Sequence, residues 1–288
     1  MRVAVAQFTS GDDKSANLTR LVSLVGQAAE GGAGLLLAPE AAMHGFGRAD
    51  LPLAPIAEPL DGPFVTGLQE AARRYAVAVV AGMFETVAGD ATRAYNTAVA
   101  VGPDGTLTGR YRKQHLFDAL GWVESERLEA GAADDRLVFD CGDLTVGVLT
   151  CYDVRFPELA RALVDDGADL LVLPSAWVAG PLKEEQWSTL VRARAIENVL
   201  WVAAADQSPP VYAGRAMVVD PFGVVVASLA ERDGLVFADA DPARVRACRE
   251  RMPSLDHRRW TVTPSAGAPP HAGVDGTGVG DPAQVGNE

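Results

Sequence analysis

Leu144-Thr145-Val146-Gly147-Val148-Leu149-Thr150-Cys151-Tyr152-Asp153-Val154-Arg155-Phe156-Pro157-Glu158 changes its period part-way along. Leu144–Leu149 is a short run rich in Val and Leu, the composition of a strand, whereas Leu159, Leu163 and Val164 beyond it recur at helical spacing. Pro157 suits the first turn of that helix, where a missing N–H leaves no partner unsatisfied. The segment reads as strand, turn and helix, the repeating unit of a layered α/β protein. Cys151 falls on the turn. A side chain there is expected to be exposed at the sheet edge beside free backbone N–H groups, which stabilise a thiolate or a developing oxyanion.

The same alternation continues outward in both directions. Strand-like runs occupy Val3–Phe8, Leu35–Ala38, Val77–Phe84, Thr97–Val101, Leu170–Leu173, Leu200–Ala204, Ala216–Val219, Val224–Ser228 and Leu235–Ala238. Helical spacing is carried by Leu18, Leu21, Val22 and Val25, and again by Trp187, Leu190, Val191 and Ala195. Pro103-Asp104-Gly105 and Asp220-Pro221-Phe222-Gly223 each separate two strand-like runs and read as hairpin turns, so the sheets are mixed. Such a strand-heavy chain predicts two sheets packed face to face with helices outside. No linker divides residues 1–263, which form one expected domain. Residues 264–288 consist largely of Gly, Pro, Ala and Asp, bury too little to offset ordering entropy, and are expected to be a disordered tail.

Composition narrows the function classes. Of 288 residues, 48% are hydrophobic, enough for a sizeable core. A net charge of -13 disfavours phosphate backbones and anionic lipid, so neither nucleic acid nor a membrane is an expected partner. No stretch approaches the roughly 20 apolar residues of a membrane span, and Met1–Gln7 alternates like a strand instead of a signal peptide, which suggests a cytoplasmic protein. Cys141, Cys151 and Cys248 are too few and too scattered for a disulfide framework or a structural zinc site.

Three residues carry candidate chemistry. Cys151, read alone, fits a buried structural cysteine as well as a nucleophile. Glu40 closes the run Gly34-Leu35-Leu36-Leu37-Ala38-Pro39-Glu40 with no basic neighbour in sequence. A partly desolvated carboxylate there can serve as a base, although a solvated loop acid has the same signature. Lys113, in Arg110-Tyr111-Arg112-Lys113-Gln114-His115-Leu116-Phe117-Asp118, follows the second strand of a hairpin and can present a fixed positive charge to an oxyanion.

Together, in this order, these segments resemble the nitrilase, or carbon–nitrogen hydrolase, superfamily over about residues 1–262. The resemblance rests on Leu-Ala-Pro-Glu at Glu40, Tyr-Arg-Lys-Gln-His-Leu-Phe-Asp at Lys113 and Cys-Tyr-Asp-Val-Arg-Phe-Pro-Glu-Leu from Cys151. It extends through Glu124-Ser125, Leu173-Pro174-Ser175-Ala176-Trp177, Arg192–Asn198 and Met217–Pro221. The resemblance implies a four-layer α-β-β-α sandwich and a Glu-Lys-Cys triad of Glu40, Lys113 and Cys151, with Glu124 as a second active-site glutamate. It also implies association into a homodimer or higher homo-oligomer and chemistry that needs no metal and no organic cofactor.

Within that superfamily the residues after the cysteine discriminate. Nitrilases resemble Cys-Trp-Glu here, whereas Cys151-Tyr152-Asp153 followed by Arg155-Phe156-Pro157-Glu158 is similar to the amidase branches acting on ω-amides of keto acids and deaminated glutathione. The expected substrate is a small-molecule amide, open among linear amides, ω-amides and N-carbamoyl compounds, with nitriles as the alternative. Tyr152, Arg155 and Trp177 are the candidate substrate contacts: Arg155 could clamp a carboxylate or pair with an acid, and Trp177 could wall the pocket or fill the core. Two features depart from the amidase pattern. Gly180-Pro181-Leu182-Lys183-Glu184-Glu185-Gln186-Trp187 stands where those proteins resemble Gly-Pro-Ala-His-Trp, and the interval from Lys113 to Glu124 is short. A histidine-based thiol enzyme, with His44, His115, His257 or His271 as base, and a non-catalytic binding protein on the same fold are the rival classes.

Overall fold

The computed structural model describes residues 1–48 and 51–264. β1 (Arg2–Gln7) leads through α1 (Lys14–Glu30) to β2 (Leu35–Leu37), and α2 (Pro63–Tyr75) leads on to β3 (Ala78–Val87). β4 (Asp90–Val101) and β5 (Leu107–Arg112) return as antiparallel neighbours. Three two-residue strands follow, β6 (Asp118–Ala119), β7 (Trp122–Val123) and β8 (Leu128–Glu129). A second unit repeats the plan with β9 (Val138–Cys141), β10 (Leu144–Val148), α3 (Pro157–Asp165), β11 (Leu170–Pro174), α4 (Lys183–Asn198) and β12 (Trp201–Ala205). β13 (Met217–Val219), β14 (Val225–Ser228), β15 (Gly234–Asp239) and α5 (Pro242–Arg251) complete the described chain.

One sheet has the order β15-β1-β2-β3-β4-β5, with β8 beside β4, and the other β14-β13-β12-β11-β10-β9. In each sheet three central strands run parallel and the outer pairs are antiparallel. The parallel pairs are joined by helical crossovers, as parallel strands require. Burial follows the pleat. Val3, Val5, Leu35, Leu37, Ala78 and Val80 enter the core shared with the second sheet, whereas Ala4, Ala6, Leu36, Val79 and Ala81 pack under α1 and α2. Strands covered on both faces lose the polar half of their alternation, which explains their continuous apolar runs. The architecture is the four-layer α-β-β-α sandwich with mixed sheets.

Local signals account for the helix ends. Asp13 caps α1 by accepting the N–H groups of Ser15 and Ala16, and Asp241 caps α5 by accepting that of Ala243. Pro63, Pro157 and Pro242 each occupy a first turn. Every strand-like run named from the sequence falls on a strand, and both proposed turns join antiparallel pairs, β4–β5 and β13–β14. Two helices, the strand β9 and the two-residue strands β6, β7 and β8 match no run named from the sequence. α2 buries a stripe of Phe64, Val65, Leu68 and Ala72, each large side chain contributing ~1.5–3 kcal/mol. α5 is mostly polar, with only Val245 and Cys248 buried, and β9 is an edge strand with one buried residue, so neither carries a strong apolar period. The expected tail at 264–288 lies, from residue 265 onward, outside the described residues. No helix among the described residues is long and apolar enough to cross a membrane.

Candidate active site

The site forms where strand ends of the two sheets meet. β10 stops at Val148, and Cys151 opens a 3-10 turn, Cys151–Arg155, that leads into α3. Cys151 has φ +47°, a left-handed conformation that costs a non-glycine residue roughly 1–2 kcal/mol and is tolerated where surrounding contacts enforce it. Asp153 supplies the enforcement. Fully buried, it accepts the Thr150 N–H at 2.9 Å and the Tyr111 hydroxyl at 2.7 Å on Oδ2. On Oδ1 it takes the His115 N–H at 3.2 Å and His115 Nδ1 at 2.7 Å. One carboxylate thereby ties the cysteine turn to the segment on either side of Lys113.

The expectation that Cys151 is exposed at a sheet edge needs correction. Its residue is 7% exposed, and its thiol lies in the floor of a cleft of about 500 Å³, counting the open mouth. Phe117, Trp122, Tyr152, Trp177 and Tyr212 supply the walls, with Glu124 and Lys183 as polar groups among them.

Glu40 and Lys113 are each 1% exposed and sit beneath this floor. Lys113 Nζ donates to Glu40 Oε1 at 3.0 Å and to Glu124 at 2.9 and 3.1 Å, so one ammonium bridges two carboxylates. Glu40 accepts from every side: Asn96 Nδ2 reaches Oε1 at 2.6 Å and the Ala176 N–H reaches Oε2 at 2.7 Å. Its main chain is held as well, through Gln207 Nε2 donating to the Glu40 carbonyl at 2.9 Å. Glu124 opens a 3-10 turn after the β6–β7 hairpin, and the Phe117 N–H grips its Oε2 at 2.8 Å.

Burial and charge act against each other here. Burial pushes the Cys151 thiol well above its usual range, as do Glu40 and Glu124, while Lys113 and the Ala176 N–H pull the other way. Cys151 is thus a neutral thiol at rest and needs a base. Burial pulls the Lys113 ammonium down, but Glu124 and Glu40 outweigh it and hold it well above its ordinary range. Burial also raises Glu124, against the pull of Lys113. Among the described residues no group of three or more His, Cys, Asp or Glu is arranged to hold a metal ion, and all three cysteines are free and buried.

The structure brings Glu40, Lys113, Cys151 and Glu124 together and places Tyr152 and Trp177 on the cleft wall. It puts Arg155 elsewhere. That guanidinium donates to Gln186 Oε1 at 2.6 Å and lies 4.8 Å from the Trp177 ring, outside the cleft lining, with neither an acid nor the cleft as its partner. His115 stacks on Phe156 at 3.6 Å between ring centres and is not part of the lining; His44 Nδ1 lies 2.6 Å from its neighbour's carbonyl, Gly45. His271 falls outside the described residues.

Asn96, Ala176, Gln207, Asp153 and Lys183 were not named as site residues from the sequence, nor was Gly82 in β3. A Cβ on Gly82 would stand 2.5 Å from the Ala41 nitrogen and 2.6 Å from the Glu40 Cα, closer than real Cβ atoms come. Glycine here admits the chain that carries Glu40. Gly82→Ala is expected to shift Glu40 and lower kcat/KM by ~100-fold, the typical effect of about an ångström of misplacement, in a steady-state assay of the folded variant.

The sequence model of the carbon–nitrogen hydrolase family matches residues 2–250. The chain is 39% identical over 264 residues to the deaminated glutathione amidase of Escherichia coli O157:H7, covering 90% of this chain and 98% of that one. It is 34% identical over 270 residues to the omega-amidase NIT2 of Mus musculus, covering 90% and 95%. The crystal structure of Saccharomyces cerevisiae Nit3, a member of branch 10 of the nitrilase superfamily, superposes with a TM-score of 0.79 at 28% identity, covering 90% of this chain and 97% of that one. With its sandwich fold and a family match spanning nearly all the described residues, the chain belongs to the carbon–nitrogen hydrolase family of the nitrilase superfamily.

Proposed function

We propose that this protein hydrolyses the carbon–nitrogen bond of a small linear amide, releasing ammonia and a carboxylic acid through a thioester on Cys151. The observation that carries the reading is the buried ammonium of Lys113, held between Glu40 and Glu124 next to a neutral thiol on a left-handed turn. Glu40 takes the thiol proton as sulfur attacks the amide carbon. The oxyanion that forms is stabilised by Lys113 and by the N–H of Tyr152, a donor that the start of a helical turn leaves without an internal partner. Each such donor typically contributes roughly 3 kcal/mol to lowering the barrier. The C–N bond then breaks, ammonia departs with the proton from Glu40, and a water activated by Glu40 frees the acid and restores the thiol. Glu124 orients Lys113. The amidase names of the Escherichia coli and mouse relatives support an amide over a nitrile.

The test is a panel of small amides, ω-amides, N-carbamoyl acids and nitriles assayed for ammonia, with intact-mass measurement during turnover. Ammonia from an amide and an acyl mass on Cys151 are expected. An adduct on another residue, or one that persists in Cys151→Ala, overturns the mechanism.

A further inference from the structure

A buried carboxyl next to the Glu40 network has no part in the proposed reaction. Asp206 follows β12, is fully buried, and forms an isolated parallel bridge with Gln7 of β1, so it sits where the two sheets meet. Its Oδ1 accepts the Trp177 N–H at 2.7 Å and the Gln207 N–H at 2.9 Å. Its Oδ2 is buried with no hydrogen-bond partner among the described residues. Burial pushes this carboxyl well above the usual range, and Glu40 adds to the rise against the pull of the two N–H groups. A neutral acid is the form that such a site tolerates, because an unpaired buried carboxylate is far more costly.

What this carboxyl grips gives it a role. Ala176 and Trp177 are consecutive residues just beyond β11, and their N–H groups go to different acids: Ala176 to Glu40 Oε2 at 2.7 Å, Trp177 to Asp206 Oδ1. The Ala176 N–H also bonds the Cys151 sulfur and favours its ionised form. One peptide donor thus stands between the two groups that exchange the thiol proton, and the next N–H along the chain fixes where it stands. The residue after Asp206 holds the same pieces: the Gln207 N–H donates to the Ser175 carbonyl at 3.2 Å, and its Nε2 to the Glu40 carbonyl at 2.9 Å. Asp206 itself is not part of the cleft lining, so its influence on the reaction runs through these contacts.

We propose that Asp206 is a positioning residue for the hydrolysis: by holding the Trp177 N–H, it keeps the preceding N–H, that of Ala176, on Glu40 and beside Cys151. The proposal rests on the amidase reading, in which Glu40 is the base and Cys151 the nucleophile. What it requires of Asp206 is an acceptor oxygen at the place of Oδ1, not a charge. A group that only filled space there would affect stability and leave the turnover of each folded molecule alone.

Steady-state assays on the best amide, per mole of folded enzyme, compare the wild type with Asp206→Ala and Asp206→Asn. Asp206→Ala is expected to lower kcat by ~10–100-fold and to change KM by less than ~3-fold, because misplacing the base by a fraction of an ångström slows the chemical step and not binding. Asp206→Asn, which is neutral and keeps the acceptor, should recover most of that loss. An unchanged kcat in folded Asp206→Ala, a loss confined to KM, or an Asp206→Asn as slow as Asp206→Ala overturns the proposal while leaving amide hydrolysis standing. If Asp206→Ala does not fold, hydrogen exchange of the Trp177 amide in tryptophan-labelled protein decides. Slow exchange is expected in the wild type and in Asp206→Asn, and fast exchange in the wild type overturns the proposal. If the wild type releases no ammonia from any amide and forms no acyl adduct on Cys151, the amidase reading fails and this proposal falls with it.

Discussion

Replacing Glu40 by glutamine is expected to lower kcat/KM on the best amide by roughly 10²–10⁴-fold, the usual range for loss of a general acid–base group. The substitution keeps the shape and removes the basicity. Its consequence is larger than for most carboxylates because the thiol it serves is neutral: burial, Glu40 and Glu124 all raise Cys151. Without a proton acceptor, attack must proceed from a thiol whose ionised fraction is very small. The amide group also fits poorly, since Glu40 Oε1 faces donors from Asn96 and Lys113 and Oε2 faces the Ala176 N–H. Whichever way the carboxamide points, its NH₂ confronts a donor, which is expected to cost about 1–3 kcal/mol of stability in a denaturation curve. Thioester hydrolysis should slow as well as its formation, so rapid-quench acylation and steady-state turnover should both fall. The opposite outcome, in which His115→Ala abolishes turnover and Glu40→Gln preserves it, would return the protein to the histidine-based thiol enzymes.

Lys113→Met is expected to damage both rate and stability. The rate should fall by ~10²–10³-fold through loss of an oxyanion donor. Stability should fall by roughly 3–5 kcal/mol, because Glu40 and Glu124 would be left buried with no ammonium between them. Chemical denaturation measures the second effect, and adding Glu124→Gln separates the two. The double variant should recover stability by removing one uncompensated charge and recover no activity. Full stability in Lys113→Met alone would mean that the ammonium is not what holds the two carboxylates in place.

The sequence made most of the fold legible because strands buried on both faces advertise themselves as unbroken Val and Leu runs. β9 and α5 carry no such run: β9 is four residues long with one buried, and α5 buries only Val245 and Cys248. The four candidate catalytic side chains were legible for a different reason, since the proposed chemistry limits each to one residue type in a distinctive local frame. Their supports were not. Asn96 meets Glu40 across 56 residues of chain, Gln207 meets it across 167, and Asp153 reaches His115 across 38. An amide or carboxylate that matters only through such a distant contact has no local signature. Gly82 acts through the absence of a Cβ against a neighbouring loop, and that absence is not visible along the chain. The expected exposure of Cys151 failed for the same reason: the turn was read correctly, but of the aromatic walls only Tyr152 comes from it, and Phe117, Trp122, Trp177 and Tyr212 come from other segments.

Glu40 and Lys113 follow β2 and β5 of one sheet, whereas Cys151 and Ala176 follow β10 and β11 of the other. The proposed reactive centre therefore straddles the seam between two sheets, each carrying its own helical crossovers. A state with both sheets formed but slipped against each other would keep its helical and strand signal in circular dichroism and lose its chemistry. On the proposed mechanism, turnover is thus a gauge of docking: it is expected to report the alignment of two halves that spectroscopic measures of secondary structure would count as intact.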